Sequence, residues 1–458
     1  MIKTTIGTNK YKNMNLNFYK IIPFMVLLIS FFASCSDSDE ILNENNGNYA
    51  KTCLLDFNVS YTDYNATASR AASSTIWKDE DKVYLTFENN AYGVATYKAG
   101  EWALKYYGNL TKDKKSICKA VYFSNPKSAE EFQAVNTTHE TAIYEDTLAS
   151  YNFDGSLMSI TAILEPQSGR VRFKGEYKDT INVYGLVTKS RYSVYKGEYN
   201  DTVQFIQLIV NSDGYTPYIY GGFSDTVNRR LNVATTKSVY TRIFDNTIMN
   251  KGESGWLSIP TDSSHIAWQN KMVFRLKTTD FAMVPVTRNN RLSFIIGETE
   301  VTKGLYNALT DSVIIESNYP QTFDTHNTAN NFVELLNAEL GVSFSLPSTS
   351  DWEWAYKGGE RSQGYKYSGS DNATEIGWFK ENSNGKVHEV ATLMPNELGI
   401  YDMSGNLQEW TSRLQSTSYY YYYKGDYSSD ICGISKASSI QPSSKIANIG
   451  VRLSLKLW

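Results

Sequence analysis

Two carboxylates stand seven residues apart in Asp402-Met403-Ser404-Gly405-Asn406-Leu407-Gln408-Glu409, with a glycine between them. A loop of alternating oxygen donors closed by a carboxylate is what a hard cation such as Ca2+ binds. The same spacing suits a plain turn in which Asp402 and Glu409 accept backbone N–H groups. A second group that could do chemistry is the thiol of Cys432, inside the stretch YYYYYKGDYSSDICGIS from Tyr419 to Ser435. The chain holds four cysteines, at 35, 53, 118 and 432, and Cys432 has no partner near it in sequence. The four histidines, His139, His265, His326 and His388, are scattered, and no two have metal-ligand spacing. Along a strand alternate rings face opposite sides, which puts Tyr419, Tyr421 and Tyr423 on one face. Exposed rings of this kind stack on sugars or contact peptides; an edge strand with half its rings in the core is the competing reading.

The elements that must position these groups can be read from periodicity. Phe332, Leu335, Leu336 and Leu340 form a helical stripe over 327–340, with Gly341 as the residue that ends the helix. Ser348 and Asp351 have capping-box spacing at the start of a second helix that Gly358-Gly359 stops. Upstream the texture differs. Runs such as Leu54-Leu55-Asp56-Phe57-Asn58-Val59 and Lys82-Val83-Tyr84-Leu85-Thr86-Phe87 alternate, with turns about every ten residues, the pattern of a β-sandwich. The strand over 253–259 stops at Pro260. We expect two sandwich units, 51–150 and 151–275, and a third domain over 276–458 that is richer in glycine and loop.

The bulk properties exclude more than they assign. A chain of 458 residues needs two or three cores. Net charge −4 and a pI near 5.8 leave no electrostatic footprint for nucleic acid. The 34 tyrosines suit half-buried strand surfaces. At the N-terminus, Lys20 precedes an apolar run from Ile21 that ends in Phe32-Ala33-Ser34-Cys35, which reads as an export signal and is too short for a good membrane span. Residues 36–50 form a polar tether. If Cys35 is processed, Cys53 and Cys118 remain as a disulfide pair or as two buried thiols.

Several resemblances extend this reading. Phe32-Ala33-Ser34-Cys35 resembles a bacterial lipobox, which implies acylation of Cys35 as the first mature residue; the acidic stretch after it resembles the surface-export signal of Bacteroidetes lipoproteins. Arg70-Ala71-Ala72 with Trp77 to Val83 resembles the start of fimbrillin-like domains. Copies of Asp-Ser/Thr-aliphatic, among them Asp146-Thr147-Leu148 and Asp311-Ser312-Val313, resemble an O-glycosylation acceptor, although a turn Asp before a β-branched strand produces the same pattern.

A further resemblance covers about 281–458. FSLPSTSDWEWAYKGG, EIGWFKENSNGKVHEVATLMPNELGIYDMSGNLQEWTS, GETEVTKGLYNAL and ANIGVRL resemble four ordered motifs of the formylglycine-generating-enzyme, or sulfatase-modifying-factor, family. That likeness implies an α+β, C-type-lectin-like fold. It also implies a calcium site using the side chains of Asp402 and Glu409 and the carbonyls of Gly405 and Leu407. The family oxidase needs two thiols; their positions fall here on Asp430 and Ser435, and Cys432 fits neither. Copper is therefore not expected, and the iron branch's histidine spacing is missing. The combined expectation is an outer-membrane, surface-exposed lipoprotein with fimbrillin-like β units and a non-catalytic domain for binding or adhesion. Its partner would be a glycan or a surface protein, contacted by Tyr419, Tyr421, Tyr423 and Trp378, with Trp410 in the core. An oxidoreductase with an altered site around Cys432, or a fimbrial subunit, are the alternatives.

Overall fold

The structure is a computed structural model, and it describes residues 50–62, 64, 77–130, 132–203, 205–223, 229–244, 249–260, 268–313, 317–412, 414–415, 418–421, 428, 430, 438–439 and 445–458. The first unit alternates as expected. Along Leu157–Pro166, Met158, Ile160, Ala162 and Leu164 are buried while Leu157 and Ile163 are exposed. Its arrangement differs from the expected sandwich. Seven strands close into a barrel in the order Lys51–Tyr61, Glu101–Tyr107, Tyr92–Lys98, Lys82–Thr86, Ser116–Ser124, Ala142–Phe153, Leu157–Pro166. The long first strand does the closing. Its start pairs antiparallel with Glu101–Tyr107, and from Leu54 onward it pairs in parallel with Leu157–Pro166. Period-2 alternation says which face is buried; it does not encode the long-range pairing that removes the sheet's edges.

Cys53 and Cys118 both lie in the barrel core, and no disulfide joins them. Burial pushes the Cys118 thiol up to about 12. Asp146 lies within the strand Ala142–Phe153: its carboxylate accepts the N–H of Leu148 at 2.8 Å and of Ile163 at 2.9 Å, across a register shift in that strand.

The second unit is a sandwich. One sheet contains Gly169–Lys174, Leu186–Ser193, Ile219–Phe223 and Ser254–Ser258; the other runs Ile206–Ile209, Thr180–Tyr184, Arg230–Ala234, Val239–Ile243. Val171, Phe173 and Ile219 from the first meet Ile181, Val183 and Val233 from the second. The division between the units is not sequential. The barrel keeps the chain through Pro166, whereas Ala134–Asn136 pairs with Leu186–Ser193 of the sandwich.

The C-terminal domain builds a sheet from Met272–Leu276, Thr279–Arg288, Arg291–Gly297 and Ser454–Leu455. Among the described residues four α-helices follow: α1 Lys303–Thr310, α2 His326–Leu340, α3 Thr349–Tyr356 and α4 Ala373–Ile376. Helix α2 starts in a reciprocal capping box between Thr325 and Thr328 and ends at Gly341 in the left-handed region, φ 64°. Ser348 caps α3, but Asp351 does not return the favour to its backbone. Its carboxylate instead takes the Ser348 hydroxyl at 2.7 Å and faces Arg288 at 2.8 Å and Lys456 at 3.3 Å.

The sandwich and the C-terminal domain share one hydrophobic cluster, in which Tyr184, Ala234 and Val239 meet Phe274, Leu340 and Phe344. Among the described residues no helix is long and apolar enough to cross a membrane.

Candidate functional site

The loop from Asp402 to Glu409 is held from several sides. The strand Gln408–Trp410 pairs in parallel with Ile449–Val451, and this register brings Glu409 beside Arg452. Both side chains are buried, Glu409 at 1% and Arg452 at 0% exposure. Arg452 donates to Glu409 at 2.9 Å through Nη2 and at 3.3 Å through Nε. It also donates to the carbonyls of Gly297 at 2.9 Å and Tyr401 at 2.8 Å. The indole of Trp352, from α3, donates to the other oxygen of Glu409 at 2.5 Å. Asp402 accepts the Ala391 N–H at 2.7 Å from a left-handed backbone, φ 56°. Glu300 accepts from the Leu407 N–H at 3.2 Å and the Asn406 amide at 3.3 Å. Gly405, φ 75°, lies against Trp378, where a Cβ would sit 2.5 Å from backbone atoms.

A calcium ligand must offer lone pairs and leave net negative charge for the ion. Glu409 offers neither, since its charge is matched by Arg452 and both oxygens already accept hydrogen bonds. The side chains of Asp402 and Glu409 therefore do not fit a shared cation. Among the described residues no group of three His, Cys, Asp or Glu side chains could hold a metal ion. Glu409 instead forms a buried ion pair with Arg452. Arg452 and Glu300, the residues that organise the loop, were not singled out in the sequence, although an arginine within the closing apolar strand was a visible signal.

The expected contact residues divide. Trp378 is half-buried; one face stacks on His388 at 3.8 Å and 12°, and its indole donates to Thr392 at 3.0 Å. Trp410 is fully buried and donates to the Phe323 carbonyl at 2.9 Å, so it is a core residue as expected. Tyr419 and Tyr421 lie on the strand Ser418–Tyr421, between Leu414–Gln415 and Ser438–Ser439. That strand is the middle one of three, not an edge. Tyr423, Cys432 and Cys35 lie outside the described residues. Asp430 is exposed, and Lys380 pairs with it at 3.2 Å.

A cavity of about 720 Å³ lies elsewhere, between the sandwich and the C-terminal sheet. Its walls include the Lys271–Glu298 pair at 3.0 Å and Asp280, which Arg230 grips with two hydrogen bonds of 2.9 and 3.0 Å. Burial would raise the Asp280 pKa; hydrogen bonds and charge from Arg230 and Arg275 outweigh it and hold it below the ordinary value.

The helices α2 and α3, the loop wired by Glu300 and the closing strand with Arg452 form one continuous unit. Residues 310–457 match the sulfatase-modifying factor enzyme 1-like domain. A chaperone protein named LppX from Paenibacillus barcinonensis is 34% identical over 105 residues, 19% of this chain. The match spans 38% of that relative's length. Among solved structures, variable protein 1 of Treponema denticola is similar at 19% identity and a TM-score of 0.34, over 41% of this chain and 99% of its own. A Bacteroides ovatus protein described as a candidate for cell adhesion is similar at 8% identity and a TM-score of 0.30, over 47% of this chain and 95% of its own. Within the sulfatase-modifying-factor-like domain the sequence contains one cysteine, Cys432.

Proposed function

We propose that the chain is a surface-exposed lipoprotein, anchored in the outer membrane through Cys35, whose sulfatase-modifying-factor-like domain binds a ligand without modifying it. The ligand is a glycan or a surface protein, and Tyr419, Tyr421, Tyr423 and Trp378 are the contacts assigned to it. One observation carries the non-catalytic reading, the bookkeeping of thiols. Cys53 and Cys118 are buried in the barrel, which leaves Cys432 alone in the matching domain. The position expected to carry the first thiol holds Asp430, exposed and paired with Lys380. A copper centre of the family's kind needs two sulfurs, and this domain supplies one.

The test is to incubate the chain with Cu(I) or Fe(II), oxygen and a cysteine-containing sulfatase peptide. We expect no aldehyde product by mass spectrometry. Product that appears with the native chain and vanishes in Cys432→Ser overturns the reading. A glycan array and a Tyr419→Ser/Tyr421→Ser variant then address the ligand, and palmitate labelling lost in Cys35→Ser addresses the anchor.

A further inference from the structure

On the sandwich, the strand Gly169–Lys174 turns Val171 and Phe173 into the core, so Arg170, Arg172 and Lys174 stand on the outer face. By strand rise this row of cations is about 13 Å long. Its neighbours contribute aromatic rings to the same face: Arg170 pairs in register with Tyr220, and Arg172 with Trp256. The Arg170 guanidinium lies 4.5 Å from the ring centre of Tyr64 and 4.3 Å from that of Tyr218. Arg172 lies 4.1 Å from Tyr215 and 5.0 Å from Tyr218, and Lys174 is 6.0 Å from Trp256. The row runs from the barrel junction, where Tyr64 is buried, to Trp256, which is 54% exposed.

Stacking occupies the flat faces of a guanidinium and leaves its N–H edge for an oxyanion. Arg170 spends part of that edge on Ser254 at 2.9 Å. Arg172 has Asp213 at 3.6 Å, a loose contact to a carboxylate that is 57% exposed. Among the described residues Asp213 is the carboxylate in ion-pair reach of these three cations, so the row carries excess positive charge on a chain of net charge −4.

We infer that this cation–aromatic row is a docking surface for an acidic polysaccharide, one bearing uronate or sulfate groups. Arg172 and Lys174 take the oxyanions, and exposed Trp256 stacks on the C–H face of a sugar ring. Charge complementarity selects an acidic chain over a neutral one. The inference rests on the binding reading above and gives it a site in the second β unit, away from the tyrosine strand.

The experiment uses the full chain against immobilised hyaluronan, chondroitin sulfate, dextran and single-stranded DNA. Binding to the two acidic polysaccharides and not to dextran is expected, weakening by about tenfold or more as NaCl rises from about 0.05 to about 0.5 M. Arg172→Gln should weaken it about tenfold and Trp256→Ala several-fold, with melting temperature unchanged. Unchanged affinity in both variants overturns this site while leaving the binding reading intact. Retention of neither acidic polysaccharide, or equally tight DNA binding, overturns the ligand class. Failure of the glycan array and of the tyrosine variant, with this site intact, would count instead against the C-terminal reading.

Discussion

Replacing Glu409 with alanine leaves Arg452 charged, fully buried and without its carboxylate. Removing one partner of such a pair costs about 3–5 kcal/mol, because the surviving charge stays desolvated. For a domain of this size each kcal/mol lowers the melting temperature by roughly 2–4 °C, so the expected fall is about 6–20 °C. Calorimetry or near-UV circular dichroism on the full chain reads it, in the transition that includes the C-terminal domain. The double variant Glu409→Leu/Arg452→Met should recover part of the loss. The remainder belongs to the carbonyls of Gly297 and Tyr401, which lose their donor. The same melts decide the cation question. An ion bound at a hundred times its Kd adds about 2.7 kcal/mol, roughly 5–11 °C by the same conversion. We expect no such rise on adding calcium to the native chain. A calcium-dependent rise that Glu409→Ala abolishes, or a fall below about 2 °C in that variant without calcium, would refute the ion-pair argument.

Three further outcomes follow from the same structure. Burial would raise the Asp351 pKa, but Ser348, Arg288 and Lys456 outweigh it and hold it below the ordinary carboxylate value. Its stabilisation is thus present above the unfolded value of about 3.9 and is lost as pH falls through the lower folded value; Asp351→Asn should flatten that acid limb in denaturant titrations. Iodoacetamide at about pH 8 should leave Cys118 unlabelled in the folded chain, since burial holds its thiol near 12, and should label it after unfolding; peptide mass spectrometry tells the two apart. Asn232→Ala removes two hydrogen bonds to Val273, of 3.0 and 3.2 Å; the Val273 N–H keeps the Thr241 hydroxyl at 2.9 Å, so the cost is about 1–3 kcal/mol for the Val273 carbonyl left unsatisfied. It should separate the melting of the sandwich from that of the C-terminal domain, and a single unshifted transition would contradict this.

Local signals in the sequence carried local structure well. The stripe ending at Leu340 and the glycine after it specify α2 and its stop, because helix periodicity and a left-handed cap depend on neighbouring residues only. Strand alternation likewise gave the buried face of each β unit. What depended on distant pairing was not legible. The barrel closes because Leu54 to Tyr61 meet Leu157 to Leu164, about a hundred residues away, and nothing in either segment names the other. The Asp402–Glu409 spacing was legible as a constellation, but the partners of its carboxylates were not. Whether a carboxylate serves a cation or a guanidinium depends on Arg452, brought in by a parallel strand pair from the end of the chain. The thiol reading rests on a count of cysteines, and a count needs no geometry.

The junction between the sandwich and the C-terminal domain bears on how a ligand would be presented. Asn232, on a central sandwich strand, accepts from the Val273 N–H and donates to the Val273 carbonyl, as an added strand would. Tyr184 reaches the Leu340 carbonyl at 2.8 Å, and Asn182 reaches the Leu457 carbonyl at 2.8 Å. Residues from both sides share one apolar cluster, so separating them would expose Phe274 and Tyr184 along with these polar groups. Independent swinging of the two units would thus lose hydrophobic burial and leave several backbone groups unsatisfied at once. The sandwich, which carries the cation–aromatic row, and the C-terminal domain are therefore held in a fixed relation through this junction. If both bind, a ligand that reaches from one to the other gains from that fixed spacing, and the Asn232→Ala variant should lose the gain before it loses either single contact.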